Sequence, residues 1–404
     1  MNGPAKLVAP LVAALALAAC NGGSAGVPAA AGGGAAGATG LSTAQDVFSR
    51  MERSAHANRA CPGDRMHGMM QCDALIESSG MTHDVPGWSA ASLEAAYNLP
   101  ITKGSGQVVA VVDAYDNPNV TTDLAEYRSG NSLPTGTFYK YNQTGQQSNY
   151  PTGNKGWGVE IDLDVDMVSA ACPQCTIILV EADDNSTKNL NAAEVEAVKL
   201  GAHVVTNSWG GGGGQSSKNS FDTPGVQYLA SSGDGGYGMQ DPADFVTVNA
   251  IGGTILSFAS NKYTEYVWPS SGGGCSVVSK PKWQKDPGCT KRTGNEVSAV
   301  AQGVSEYDTY GYGVWIVIGG TSVSSPFIAG VFGLAGNAAK FKGPSAFWTM
   351  KKGKRAKALH TISSGNDHCP SSLSGSYLCT AGTGQFGTYA GPTGWGTPNG
   401  IGAF

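Results

Sequence analysis

What constrains this chain most is a series of short β-branched segments, each closed by polar or glycine-rich residues, with stretches of helical composition interspersed. Val108-Val-Ala-Val-Val-Asp113, Thr176-Ile-Ile-Leu-Val180, His203-Val-Val-Thr-Asn207 and Gln227-Tyr-Leu-Ala-Ser231 read as strands, and Gly158 to Ala171 and Leu190 to Leu200 as helices. Apolar strands alternating with helical crossovers predict an α/β fold, a parallel sheet flanked by helices on both faces. Open sheets of this kind place their sites beyond the carboxyl ends of the strands. Asp113, Glu181-Ala-Asp-Asp184, Ser208-Trp-Gly-Gly-Gly-Gly-Gly214 and Ser232-Gly-Asp-Gly-Gly236 are therefore expected to converge on one cleft.

The ends of the chain read differently. Lys6 precedes an apolar run from Leu7 to Ala19 that closes on Leu17-Ala-Ala-Cys20, which predicts an export signal over residues 1–20, too short to span a bilayer. Leu-Ala-Ala-Cys resembles the bacterial lipoprotein processing box, so Cys20 is a candidate for lipid attachment to a membrane; without it the product would be extracellular or periplasmic. Residues 21–40 are almost wholly Gly, Ala and Ser and predict a flexible linker. Residues 41–87 then read as an N-terminal extension or short pro-segment, and residues 88–404 as one large domain. A formal charge of -5 argues against nucleic acid as partner. Apart from Cys20, eight cysteines remain, and in an exported chain their spacing favours the local disulfides Cys61–Cys72, Cys172–Cys175, Cys275–Cys289 and Cys369–Cys379, although the sequence alone admits every other pairing.

Chemistry enters at Gly319-Gly320-Thr321-Ser322-Val323-Ser324-Ser325-Pro326, between the apolar run Val314 to Ile318 and the apolar segment Phe327 to Leu334. The pattern predicts strand, tight glycine turn and buried helix, with Ser322 at the helix start and Pro326 in its first turn, where a missing N–H costs little. Such a serine is either a helix cap or a nucleophile, and a nucleophilic hydroxyl needs a base. The six histidines stand at 56, 67, 83, 203, 360 and 368, and His203 reads as a packed strand residue. None opens the helix over Gly158 to Ala171.

That helix offers carboxylates instead. At about 100° per residue, Asp164 falls about 40° from Glu160, inside an arc shared with Ile161, Leu163, Val165, Met167 and Val168. Asp162 and Asp166 fall on the opposite side and read as a solvated face. Buried carboxylates are expensive unless they share protons or hydrogen bonds, so the spacing of Glu160 and Asp164 points to a coupled pair.

This constellation resembles the sedolisins, the serine-carboxyl peptidases with a subtilisin-like fold in which a glutamate stands where subtilisins have histidine. The motifs that carry it run in order: Ala95-Ala-Tyr-Asn-Leu-Pro100, Glu160-Ile-Asp-Leu-Asp164, Ser208-Trp-Gly210, Ser232-Gly-Asp-Gly235, Ile251-Gly-Gly-Thr254 and Gly319-Gly-Thr-Ser322. The resemblance implies a nucleophile at Ser322, a general base and acid at Glu160, an orienting acid at Asp164 and an oxyanion stabiliser at Asp234. It implies substrate contacts at Ser208, Trp209, Gly210 and Gly233, polypeptide substrates and activity at acidic pH. A catalytically silent peptide-binding protein and a subtilisin-like enzyme using Asp113 with an unplaced histidine are the alternatives.

Two stretches depart from the family. Where it builds a calcium site from aspartates, this chain has His360-Thr-Ile-Ser-Ser-Gly365 and Ala390-Gly-Pro-Thr-Gly-Trp-Gly396, so no cofactor is expected, with Asp367 the one residue that could restore a calcium ligand. The family's long propeptide is also missing; only residues 41 to about 85 stand in its place.

Overall fold

A computed structural model of the chain describes residues 58–62, 67–77, 85–212 and 216–404; the export signal, Cys20 and the linker lie outside the described residues. Eight strands form the central sheet: β1 Val108–Ala114, β2 Phe138–Asn142, β3 Thr176–Ala182, β4 Val204–Asn207, β5 Gln227–Ser231, β6 Val248–Ala259, β7 Lys262–Val267 and β8 Val297–Val300. Their order is β7-β6-β5-β4-β1-β3-β2, with β8 also paired to β6. Only β6 and β7 run antiparallel. The inner parallel strands β1, β3, β4 and β5 are almost wholly buried, as strands covered on both sides must be, while the edge strand β2, Phe-Tyr-Lys-Tyr-Asn, is partly exposed.

Helices α1 Ala90–Ala96, α2 Val120–Gly130, α3 Lys155–Ala171, α4 Thr187–Lys199 and α5 Thr321–Ala335 flank the sheet. Asn154 starts α3 by accepting from the backbone N–H groups of Gly156 and Trp157 at 3.0 and 3.1 Å, which satisfies two donors the helix cannot. Helices α3 and α5 pack against each other, and Gly330 permits the approach, since a Cβ there would lie 2.6 Å from the Ala171 Cβ. Truncating buried Ile161 in α3 to alanine is expected to cost about 2–5 kcal/mol. Beside these helices lies a hairpin of β9 Val304–Asp308 and β10 Val314–Gly319, the latter leading into α5.

Two expectations are overturned here. Asp162 and Asp166 are fully buried, not solvated, because α2 and β9 cover the side of α3 that a one-faced helix would leave wet. Asp162 accepts from Asn117 Nδ2 at 2.7 Å and Asp166 from the Tyr307 N–H at 3.3 Å. Oxygens of Asp162, Asp123 and Asp308 gather within 4.8 Å of one another. His203, expected to pack, is exposed, since β4 begins one residue after it. The four local disulfides are those the spacing favours: Cys61–Cys72, Cys172–Cys175, Cys275–Cys289 and Cys369–Cys379.

Candidate active site

Ser322 is the second residue of α5, and the turn before it requires glycine. Gly320 has φ 114°, a conformation that side chains rarely adopt, and a Cβ there would collide with the Asp73 carbonyl oxygen. Pro326 is the sixth helical residue, so it lies in the second turn and not the first as the pattern suggested. Its missing N–H is the one that would have met the Ser322 carbonyl, and the Ser208 hydroxyl donates to that carbonyl instead at 3.4 Å. In return the Ser322 hydroxyl donates to the Ser208 carbonyl at 3.2 Å.

The loops after β4 and β5 therefore meet the start of α5. Gly233 donates its N–H to Thr321 Oγ1 at 3.1 Å. Asp234 Oδ1 accepts from both the N–H and the hydroxyl of Thr321 at 2.8 Å, while its other oxygen, buried, has no partner among the described residues. Trp209 turns its ring inward, donating from Nε1 to the Val112 carbonyl at 2.8 Å, so this residue faces the cleft through its backbone alone.

Glu160 and Asp164 are completely buried beneath Ser322. Burial holds the Glu160 carboxyl well above its ordinary value, the charges of Asp164 and Asp113 push it further, and the nearby Ser322 hydroxyl pulls it back. Neither Glu160 oxygen meets a donor at full hydrogen-bonding geometry; in this resting arrangement Ser322 points to Ser208. Asp164 is raised by burial and then by Asp113, with Ser208 and Glu160 as hydrogen-bonding neighbours that oppose the shift. Asp113, at the end of β1, is pushed up to about 8 by burial. Asp234 is raised by burial and next by Asp73, against the two Thr321 donors. The sequence reading had Asp113 as a strand end and as the acid of the subtilisin-like alternative; in the structure it is the third carboxyl of this buried group.

A second group escaped the sequence reading altogether. Gln71–Cys72 pairs antiparallel with Trp209–Gly210, and Leu75–Ile76 pairs antiparallel with Ile318–Gly319. Between these pairings the Asp73 N–H donates to the Ser208 carbonyl at 3.1 Å. Its carboxylate accepts from the Ser231 hydroxyl at 2.7 Å and from Gln240 Nε2. A cavity of about 950 Å³ continues along this strand, lined by Met70, Gln71, Tyr115 and Trp157 among others. No local pattern around Asp73 signals this placement, which depends on pairing with residues far along the chain.

Near the C-terminus Asp367 is buried, and burial pushes its carboxyl up to about 8. The neighbouring sulfurs of Cys369 and Cys379 are bonded to each other, and Thr361 is exposed. Calcium takes six to eight oxygen ligands with compensating charge, and these residues do not fit it.

No protein-family model matches the chain. It is 28% identical over 324 residues to sedolisin of Pseudomonas sp. (strain 101), an alignment covering 68% of this chain and 53% of that protein. The chain thus spans about half the length of the curated relative it matches. It is also similar in structure to Pseudomonas sedolisin, a serine-carboxyl proteinase, complexed with two molecules of pseudo-iodotyrostatin. The TM-score is 0.64 at 24% identity, over 79% of this chain and 96% of that one.

Proposed function

We propose that this chain, a sedolisin homologue with the sedolisin fold, is a serine-carboxyl peptidase that cleaves polypeptides at acidic pH through an acyl-enzyme on Ser322. The observation that carries this reading is the reciprocal Ser322–Ser208 pairing beside a buried carboxyl pair, with a further buried carboxyl, Asp234, anchored on the adjoining Thr321. In it, Glu160 takes the Ser322 proton as Oγ adds to the substrate carbonyl, then returns it to the leaving nitrogen. Asp164 holds Glu160 in place and shares its charge. Because Glu160, Asp164 and Asp113 repel one another once ionised, the group gives up a second proton far less readily than the first, so a single anion, carried by Glu160, serves as the base.

Asp234 has the opposite task. A carboxyl donates to a developing oxyanion only while protonated, and burial favours that form. Acid pH therefore suits both groups at once. Export, with or without a lipid on Cys20, is proposed on the N-terminal sequence pattern, and no bound calcium is proposed.

The test is hydrolysis of a denatured protein from about pH 2 to about pH 8, which should give a bell-shaped profile centred below neutrality. Ser322→Ala should lose about ten-thousandfold or more in kcat. A wild-type protein that binds peptides and cleaves none, or one whose turnover peaks near pH 8, contradicts the reading.

A further inference from the structure

The strand in the cleft has the register of a substrate. On one side Gln71 and Cys72 pair with Gly210 and Trp209; on the other Leu75 pairs with Gly319. Asp73–Ala74 is the stretch that crosses from one wall to the other, directly over the start of α5. The Asp73 N–H and the Ser322 hydroxyl share one acceptor, the Ser208 carbonyl, at 3.1 and 3.2 Å. The Asp73 carbonyl oxygen lies against Gly320, at the same point that the unpartnered oxygen of Asp234 faces, 2.9 Å from where a Gly320 Cβ would be.

Its side chain is received as specifically as its backbone. Ser231 and Gln240, both buried, donate to one oxygen of the Asp73 carboxylate. Gln240 is wedged between two strand-end loops, with its amide against the Cα of Gly210 and of Gly233, so this donor is fixed in place. An apolar side chain would leave the buried Ser231 hydroxyl without its acceptor and Gln240 Nε2 with the Ser231 carbonyl alone, at 3.3 Å, and unanswered buried donors are the usual basis of strong discrimination.

We infer that Asp73–Ala74 is a bond this chain cuts in itself, and that Ser231 and Gln240 form a subsite selecting a short oxygen-bearing side chain, aspartate foremost, on the acyl side of the cleaved bond. The inference rests on the peptidase reading of Ser322. Ser322 Oγ adds to the Asp73 carbonyl carbon while Glu160 takes its proton. Glu160 passes the proton to the Ala74 nitrogen as the C–N bond breaks, and water then hydrolyses the Asp73 ester, returning a proton to Ser322. Ala74 becomes a new N-terminus. Cys61 and Cys72 both precede the cut, so the released piece keeps its own disulfide. Residues 58–59 remain paired with residues 75–76, and the piece is expected to stay bound until denatured.

The experiment incubates the purified full chain in acid and reads its mass and N-terminal sequence after denaturation. Wild type should show Ala74 as N-terminus and Ser322→Ala none of it. Asp73→Leu should slow this cut by about tenfold or more. In trans, two peptides differing only in Asp or Leu before the cleaved bond should be ranked Asp first, and Gln240→Met should lower kcat/KM for the Asp peptide by about 10–100-fold while affecting the Leu peptide little. Cleavage of added peptides with the 73–74 bond intact, or a preference for Leu, overturns the inference and leaves the peptidase reading standing. Failure of wild type to cut any peptide overturns both.

Discussion

Pro326 stands four residues beyond Ser322 in α5, and the N–H it lacks leaves the Ser322 carbonyl to the Ser208 hydroxyl, which donates to it at 3.4 Å. The two serines are joined in both directions, since the Ser322 hydroxyl donates to the Ser208 carbonyl. Pro326→Ala restores the helical donor and removes a ring that crowds the preceding turn. Stability should rise by about 1–3 kcal/mol, while Ser208 loses its claim on Ser322 and kcat falls several-fold. Melting temperature and steady-state kinetics check both halves; a variant that melts lower with unchanged kcat contradicts the argument.

Asp234 lends itself to a sharper test because its orientation is fixed. Two donors from Thr321 hold Oδ1, so in Asp234→Asn the amide oxygen takes that place and the NH2 group takes the other. An amide donates at every pH. The variant should keep part of the activity and extend it toward higher pH, whereas Asp234→Ala should lose about 100–1,000-fold in kcat. Identical pH profiles for wild type and Asp234→Asn would remove Asp234 from the oxyanion role.

The same buried acids make stability depend on pH with an unusual sign. Asp113 is raised from 3.8 to about 8 and Asp367 from 3.8 to about 8, each by burial. A raised carboxyl keeps its proton in the fold while the unfolded chain gives it up, so the unfolded state binds fewer protons across that window and stability falls as pH rises. It is greatest below about pH 4 and declines up to about pH 8. Melting of the Ser322→Ala protein, which cannot digest itself under the proposed mechanism, should occur at a lower temperature at about pH 8 than at about pH 4. Asp113→Asn should flatten the slope. A melting temperature that climbs with pH would contradict the protonation states used throughout.

Much of this was legible in order along the chain. Four strands, α3, the turn before Ser322 and the carboxyls of Glu160, Asp164 and Asp234 follow from apolar runs and from motifs whose spacing survives in a single sequence. The wheel failed at Asp162 and Asp166 because it assumes that one side of a helix meets water, and α3 has neighbours on every side. Pro326 was placed in the first turn although the helix start was read at Ser322, one residue after the observed start at Thr321, so that more than a full turn already separates the helix start from the proline. Asp73, Ser231 and Gln240 were invisible for a different reason. Their roles come from strand pairing across distant segments, which leaves no local period to read.

The C-terminal region yields a last contrast between a bridge and an ion. Asp367 is a single buried carboxyl, its oxygens have no partner among the described residues, and the two sulfurs beside it are already bonded to each other. Bound calcium would need several anionic oxygens there, and Asp367 is the one carboxylate of its cluster. The Cys369–Cys379 bridge closes a loop across a sequence separation of 10 and restrains the unfolded chain without any ion. Joint replacement of Cys369 and Cys379 by alanine should cost about 2–3 kcal/mol. Chelation should leave the melting temperature unchanged. A rise in melting temperature on adding calcium to chelated protein would contradict this account and put a cation in the fold.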